Sequence, residues 1–230
     1  MRNPLRQPFR YTYFKATLIL VAINVFVFLL GNFLNSQQIY LTWKCEPYDT
    51  VYFSLEYFFS MNPELVITQK MWWQPLTCIF IHGNFEHLFF NMLGLLLFGI
   101  NVEKSMGSKE FVLFYMVCGL LSSLFSLAVY VITNQYTVFL MGASGAIYSI
   151  LFAFAVIFPT VRVFIFGIIP VPGPVMVLIY AIIEIGSQMT GLNGGVAHMT
   201  HLFGFAAAWA YFMIRIGVNP IRVWKNVFRH

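Results

Sequence analysis

Charge is what this chain lacks. Only 9% of its 230 residues are Asp, Glu, Lys or Arg, and 60% are hydrophobic. A soluble domain carries about 25% charged residues. A soluble fold of this size cannot hide that much apolar surface, so an integral membrane protein is implied. Acidic groups are scarcest: there are eight, with Asp49 the single aspartate. Three cysteines are too few for a disulfide framework. Cys118 lies in an apolar run and reads as packing, while spacing leaves open whether Cys45 and Cys78 pair. No His-Glu-x-x-His segment occurs, so the usual helical zinc-hydrolase pattern is missing, and neither a metal nor an organic cofactor is implied. The basic excess, 13 against eight, is not a nucleic-acid footprint. Its members stand in short clusters between apolar runs, the pattern that encodes membrane topology.

The apolar runs predict an all-α bundle of six spans. After a polar tail, residues 1–15, the first covers Ala16 to Leu34, a spanning length. It is long for a signal-peptide core, and no small-x-small cleavage site follows, so it reads as an uncleaved span. Asn35 to Thr77 is the longest connection, rich in aromatics such as Trp43, Trp72 and Trp73. Five of the eight acidic residues, Glu46, Asp49, Glu56, Glu64 and Glu86, lie in it or just beyond. It is too polar to span and too hydrophobic to float in water, so it reads as an interfacial loop with short amphipathic helices. Further spans are expected at His82–Val102, Phe111–Ile132, Ser144–Phe158, Val163–Thr190 and His198–Ile216. The fifth has an irregular start at Pro170, Pro172 and Pro174, and a flexible turn, 191–195, follows it. The fourth is short for a lipid-facing helix and suits the middle of a bundle. The partition is a tail at 1–15, a helical domain at 16–217 and a tail at 218–230.

With the N-terminus placed inside the cell, eleven of the 13 basic residues fall inside and only Lys44 and Lys70 outside. Spans two, four and six then all begin at the outer face. Their starts carry His82, His87 and Asn91, then Ser144, then His198 and His201. Three segments deliver polar side chains to one membrane depth, where such groups are costly and mark a functional site.

Ser144 sits in Met141-Gly142-Ala143-Ser144-Gly145, among small residues that let other segments approach. It would stand near a helix N-terminus, where unpaired N–H groups favour an oxyanion. Its proton needs a base, and a neutral histidine serves near pH 7. His201 is followed by Gly204 and Ala208, a small-residue stripe that would pack span six on span four, where Gly145 and Ser149 are also small. Tyr148, one turn after Ser144, could stack on the imidazole. His87 and Asn91, at i and i+4, could donate to an oxyanion together with the Ser144 amide. His82 would lie near the rim, and His198 is the alternative base. Asp49 is in the loop and Glu184 lies mid-span elsewhere, so a serine–histidine dyad is expected, with no acidic third member and no role for Glu184. The rival classes are a metal site built from His82, His87, His198 and His201, a protein that only binds membrane helices, and a channel or transporter.

Gly142-Ala143-Ser144-Gly145, His82-x4-His87-x3-Asn91 and His198-x2-His201-x2-Gly204-x3-Ala208 together resemble the rhomboid family of intramembrane serine proteases, in motif order and from the first span to the sixth. The resemblance implies a six-helix bundle with a membrane-associated first loop. It also implies Ser144 as nucleophile, His201 as base, and His87, Asn91 and the Ser144 amide as oxyanion hole. Tyr148, Gly142, Gly145, Gly204 and His82 support the site. Glu103 would stabilise the inner end, and the fifth span with its cap loop would form the gate. Partners would be transmembrane-helix substrates and the lipid bilayer, in a bacterial inner membrane. Two positions depart from the family: Gln74 stands where an arginine usually follows Trp73, and Ala208 stands where glycine is commonest.

Overall fold

The computed structural model describes residues 8–45, 47, 50–165, 168–190, 196–227 and 229, without the side chains of 165, 196 and 197. Arg2, Arg6, Glu46, Tyr48, Asp49 and the expected 191–195 turn lie outside the described residues. The fold is mostly helical. The long helices are α1 (Ala16–Ser36), α5 (Phe85–Gly94) running through a wide π turn into α6 (Ile100–Met106), α7 (Ser108–Ile132), α8 (Ser144–Ile157), α9 (Gly173–Thr190) and α10 (Val196–Tyr211), the last extended by another π turn to Ile216.

Among the described residues, four helices are long and apolar enough to cross a membrane: α1, the continuous Phe85–Met106 helix, α7 and α9. A fifth is reached if His198–Ile216 and α11 (Pro220–Val227), bent by 100° from each other, count as one. The Ser144–Ile157 helix is shorter, with 14 residues. It is nevertheless the centre of the molecule. Every residue from Gly145 to Val156 except Tyr148 is buried, between α7, α9 and α10. Small side chains at Gly145, Ala146, Ser149, Ala153 and Ala155 let those neighbours approach closely. Large apolar side chains instead face outward on the surrounding helices, among them Phe26 on α1 and Ile182 on α9.

Three expectations are corrected. The fifth helix begins at Gly173, not Val163. The preceding residues form an antiparallel ribbon, β3 (Arg162–Ile165) with β4 (Ile169–Pro172), with Phe164 opposite Pro170 and Arg162 opposite Pro172. Each strand of a two-stranded ribbon has a free edge, so prolines without N–H groups are tolerated. The long loop carries a second ribbon, β1 (Leu41–Trp43) with β2 (Val51–Phe53), besides its short helices α2 (Leu55–Phe59), α3 (Pro63–Ile67) and α4 (Gln74–Thr77). The bundle is therefore not purely α. The third correction concerns residues 218–230. They are not simply a tail, because α11 folds back and the Trp224 indole N–H donates to the Ala155 carbonyl at 2.9 Å.

The loop is held to the bundle by neutral groups. The buried Gln74 accepts the Asn62 N–H (3.1 Å) and donates to the Phe58 carbonyl (3.2 Å), and the Trp73 indole donates to that same carbonyl. An amide that both donates and accepts satisfies two backbone groups without burying a charge. Met61 and Leu140 exchange backbone hydrogen bonds of 2.9 and 2.8 Å, and Asn62 Nδ2 reaches the Tyr136 and Val138 carbonyls. The loop thus clamps the segment that leads into Ser144. Cys45, Cys78 and Cys118 are free and buried. Cys45 and Cys78 sit in separate apolar clusters. Burial pushes the Cys45 thiol up, and that of Cys78 up to about 12, so neither is a ready thiolate.

Candidate active site

Ser144 is the first residue of α8 and is half-buried. Its amide belongs to the first turn, whose N–H groups have no acceptor within the helix. The chain enters through Gly142 at φ 120°, a left-handed conformation natural to glycine. The Gly142 N–H is tied to the Cys78 carbonyl at 2.9 Å. A Cβ at Gly142 would lie 2.6 Å from two atoms of the His87 ring. Glycine at 142 is therefore what admits the imidazole beside the serine turn.

His87 is placed by a helix cap. The Asn84 side chain accepts the His87 N–H at 2.8 Å, so His87 stands in the first turn of α5. Asn91, one turn on, is buried, and one of its amide N–H groups donates to the His87 carbonyl at 2.8 Å. His82 is not at the rim. It is buried, its ring centroid lies 5.2 Å from that of His87, and its two ring nitrogens have no hydrogen-bond partner among the described residues.

On α10, His201 stacks on Tyr148 with ring centroids 4.1 Å apart and planes 9° from parallel. The approach of α10 to α8 depends on Gly204, since a Cβ there would run into the Gly145 carbonyl oxygen. Ser149 Oγ donates to both the Gly204 (2.7 Å) and Gly145 (2.9 Å) carbonyls, and Ser126 pairs with Thr200 at 2.7 Å, joining α7 to α10. Ala208 is fully buried in the same stripe. The expected close packing of these two helices is present, and it carries Ser144, Tyr148 and His201 to one end of the bundle.

The sequence reading missed Glu184. It lies on α9 but turns its buried carboxylate to the same site. Oε1 is 2.9 Å from His201 Nδ1 and also accepts the Tyr148 hydroxyl, while Oε2 is 2.5 Å from His198 Nδ1. The expectation that no acid stands near His201 is therefore corrected. The available signal was a carboxylate inside an apolar span, which is expensive to bury without a task. Spacing alone could not aim it, because α9 and α10 are different helices.

Glu184, His198 and His201 are also the described residues that come near enough to one another to hold a metal, with ligand atoms within 4.8 Å. The two histidine–carboxylate gaps are hydrogen-bond lengths. A tetrahedral zinc with ligands at about 2.0–2.2 Å keeps those ligands more than about 3 Å apart. The trio as built is a proton-bonded network.

The family model of the rhomboid domain matches residues 69–217. Among relatives, YdcA of Bacillus subtilis is 29% identical over 147 residues, 63% of this chain and 68% of that protein. Rhomboid protease AarA of Providencia stuartii is 29% identical over 205 residues, 82% of this chain and 68% of that protein. The mitochondrial Rhomboid protein 1 of Saccharomyces cerevisiae is 33% identical over 127 residues, which is 54% of this chain but only 36% of the yeast protein. The chain belongs to the rhomboid family and is an integral, multi-pass membrane protein.

Proposed function

We propose that the protein is an intramembrane serine endopeptidase that cuts transmembrane segments of other membrane proteins, with Ser144 as nucleophile and His201 as general base. The observation that carries this reading is the Tyr148–His201 stack one turn after Ser144. The stack puts the His201 imidazole against a residue one turn from a serine at a helix N-terminus, and the His87 ring lies against Gly142, two residues before that serine. The names of the relatives agree with proteolysis: AarA, and GluP of Bacillus subtilis, are rhomboid proteases.

In this reading the chain has six spans, with α8 buried as the fourth, and a domain at 16–217 that follows a tail at 1–15 and leads into a C-terminal segment whose helix α11 packs back on α8. The N-terminus is inside, so the Ser144 end faces out, in a membrane of the bacterial inner type. A single-span substrate enters between spans two and five and unwinds locally, since a helical peptide bond hides its carbonyl. Ser144 Oγ attacks that carbonyl as its proton passes to His201. The oxyanion is received by the Ser144 amide, His87 and the remaining N–H of Asn91. His201 then gives the proton to the departing amine, and water hydrolyses the acyl-enzyme. These steps move only protons and one acyl group, so the chemistry asks for no metal or organic cofactor.

The test is labelling of detergent-solubilised protein with a fluorescent fluorophosphonate, followed by cleavage of a model transmembrane helix. Wild type should label and cleave. Ser144→Ala should do neither, and His201→Ala should lose at least about 10³-fold in both. Labelling that survives Ser144→Ala refutes the nucleophile. Folded wild type that never labels, with activity lost on chelation, would favour the metal reading.

A further inference from the structure

Resting on the reading of Ser144 and His201 above, we infer that Glu184 is the positioning residue of His201. Its carboxylate accepts Nδ1–H and thereby holds the imidazole in the tautomer whose Nε2 is the base. The site then works as a serine–histidine–glutamate relay, with the acid supplied by α9.

Three features of the site support this assignment. The first is geometry. The 2.9 Å contact from Glu184 Oε1 is to Nδ1, the ring nitrogen that a serine's base does not use for proton transfer. The near-parallel stack on Tyr148 covers the face of the ring and leaves both nitrogens open at its edge. The second is rigidity. Oε1 accepts from His201 and Tyr148, and Oε2 meets His198 Nδ1, so the carboxylate cannot turn away without breaking several bonds. The third is the kind of partner. The buried carboxylates that lock helices together here are met by donors that keep their protons, Glu110 by Arg215 and Glu103 by backbone N–H groups and hydroxyls. The residues that hold Glu184 are two histidines and a tyrosine, which carry no fixed positive charge.

The proton balance is simple. When Ser144 Oγ bonds to the substrate carbonyl carbon, its proton moves to His201 Nε2 and the ring becomes a cation. Glu184 remains ionised beside that cation and takes no proton. When the C–N bond breaks, Nε2 returns the proton to the amine, and the neutral Nδ1–H tautomer is restored. Glu184 touches no reacting atom.

The experiment uses the full chain, labelled with ¹⁵N-histidine, in detergent at about pH 8, where an ordinary imidazole is neutral. His201 is assigned from the signals lost in His201→Ala. The expected wild-type spectrum shows Nδ1 protonated and Nε2 bare. Glu184→Gln should lower kcat on a model transmembrane helix about 10²-fold with KM unchanged. Fluorophosphonate labelling of Ser144 should slow in parallel, and Glu184→Asp, which keeps the carboxylate, should recover about tenfold. A wild-type His201 with Nε2 protonated and Nδ1 bare overturns the proposal even if no Glu184 variant folds. So does a folded Glu184→Gln with wild-type kcat. If His201→Ala still cleaves, it is the base that was wrongly chosen, a result separate from either of these.

Discussion

Glu110 and Glu184 are both buried carboxylates, and they lie at opposite ends of one bundle. Between the Glu110 end and the Ser144 end runs α7, with 25 residues, roughly 35 Å of helix. Glu110 accepts from Arg215 at 2.9 and 3.1 Å, from the Tyr211 hydroxyl at 2.5 Å and from the Phe9 N–H at 3.2 Å. Nearby in sequence, Glu103 accepts from the Ala16 and Thr17 N–H groups and the Thr17 and Ser108 hydroxyls, capping the start of α1, which has no side-chain cap of its own. All these donors keep their protons across the physiological range. Glu184 is held chiefly by histidines, whose ring nitrogens can each either donate or accept a proton. The first end locks helices together, and the second holds the imidazole that, in the proposed reading, carries the proton. A buried carboxylate in a membrane protein is therefore read by its partners, not by its burial.

The comparison can be broken most forcefully at Gly204. Gly204→Val places branched carbons against the Gly145 carbonyl, and backbone cannot yield as a side-chain tip can. The α8–α10 seam should lose about 3 kcal/mol or more, with fluorophosphonate labelling down more than about 10²-fold. A stable, labelling-competent Gly204→Val would mean that this seam is not what positions His201. Next comes Glu110→Ala, which removes the carboxylate that meets the Arg215 guanidinium. It should cost about 3 kcal/mol and lower the unfolding temperature, yet leave cleavage per labelled molecule unchanged. An equal fall in cleavage per labelled molecule would erase the distinction between the two ends.

Smaller effects sharpen the contrast. Gln74→Ala leaves the Asn62 N–H buried without its acceptor, which should cost about 1–3 kcal/mol and shift thermal unfolding without slowing labelling at low temperature. Smallest is Tyr148→Phe. It keeps the stack on His201 and removes one donor to Glu184, so cleavage should fall only a few-fold, for about 1 kcal/mol. A Tyr148→Phe effect larger than that of Glu184→Gln would show that the hydroxyl acts on something other than Glu184.

Much of the candidate site's geometry was legible before the fold was seen. Ser144, Tyr148, His201 and Gly204 carry local patterns, small-residue motifs and helical spacing, that a helix turns directly into a shared face. The histidine–tyrosine stack followed from those patterns, and so did the burial of a helix too short to face lipid alone. The two ribbons were not legible. Their strands are three or four residues long, and in an aromatic or proline-rich stretch such short runs give no periodic signal. His82 was misplaced because five residues before His87 puts it outside helical spacing, where the turn at 83–84 decides its direction.

The residues of this chain determined by themselves that it lives in a membrane, which segments are apolar, and which serine and histidine stand at helix starts. Those are consequences of composition and of spacing within one helix. Tertiary structure alone decided where Glu184 points, why Gln74 suffices in place of a charged anchor, and how the loop clamps the entrance to Ser144. Each of these joins side chains or carbonyls from separate segments. Their meeting depends on crossing geometry and close approach between elements, and no one-dimensional pattern encodes it.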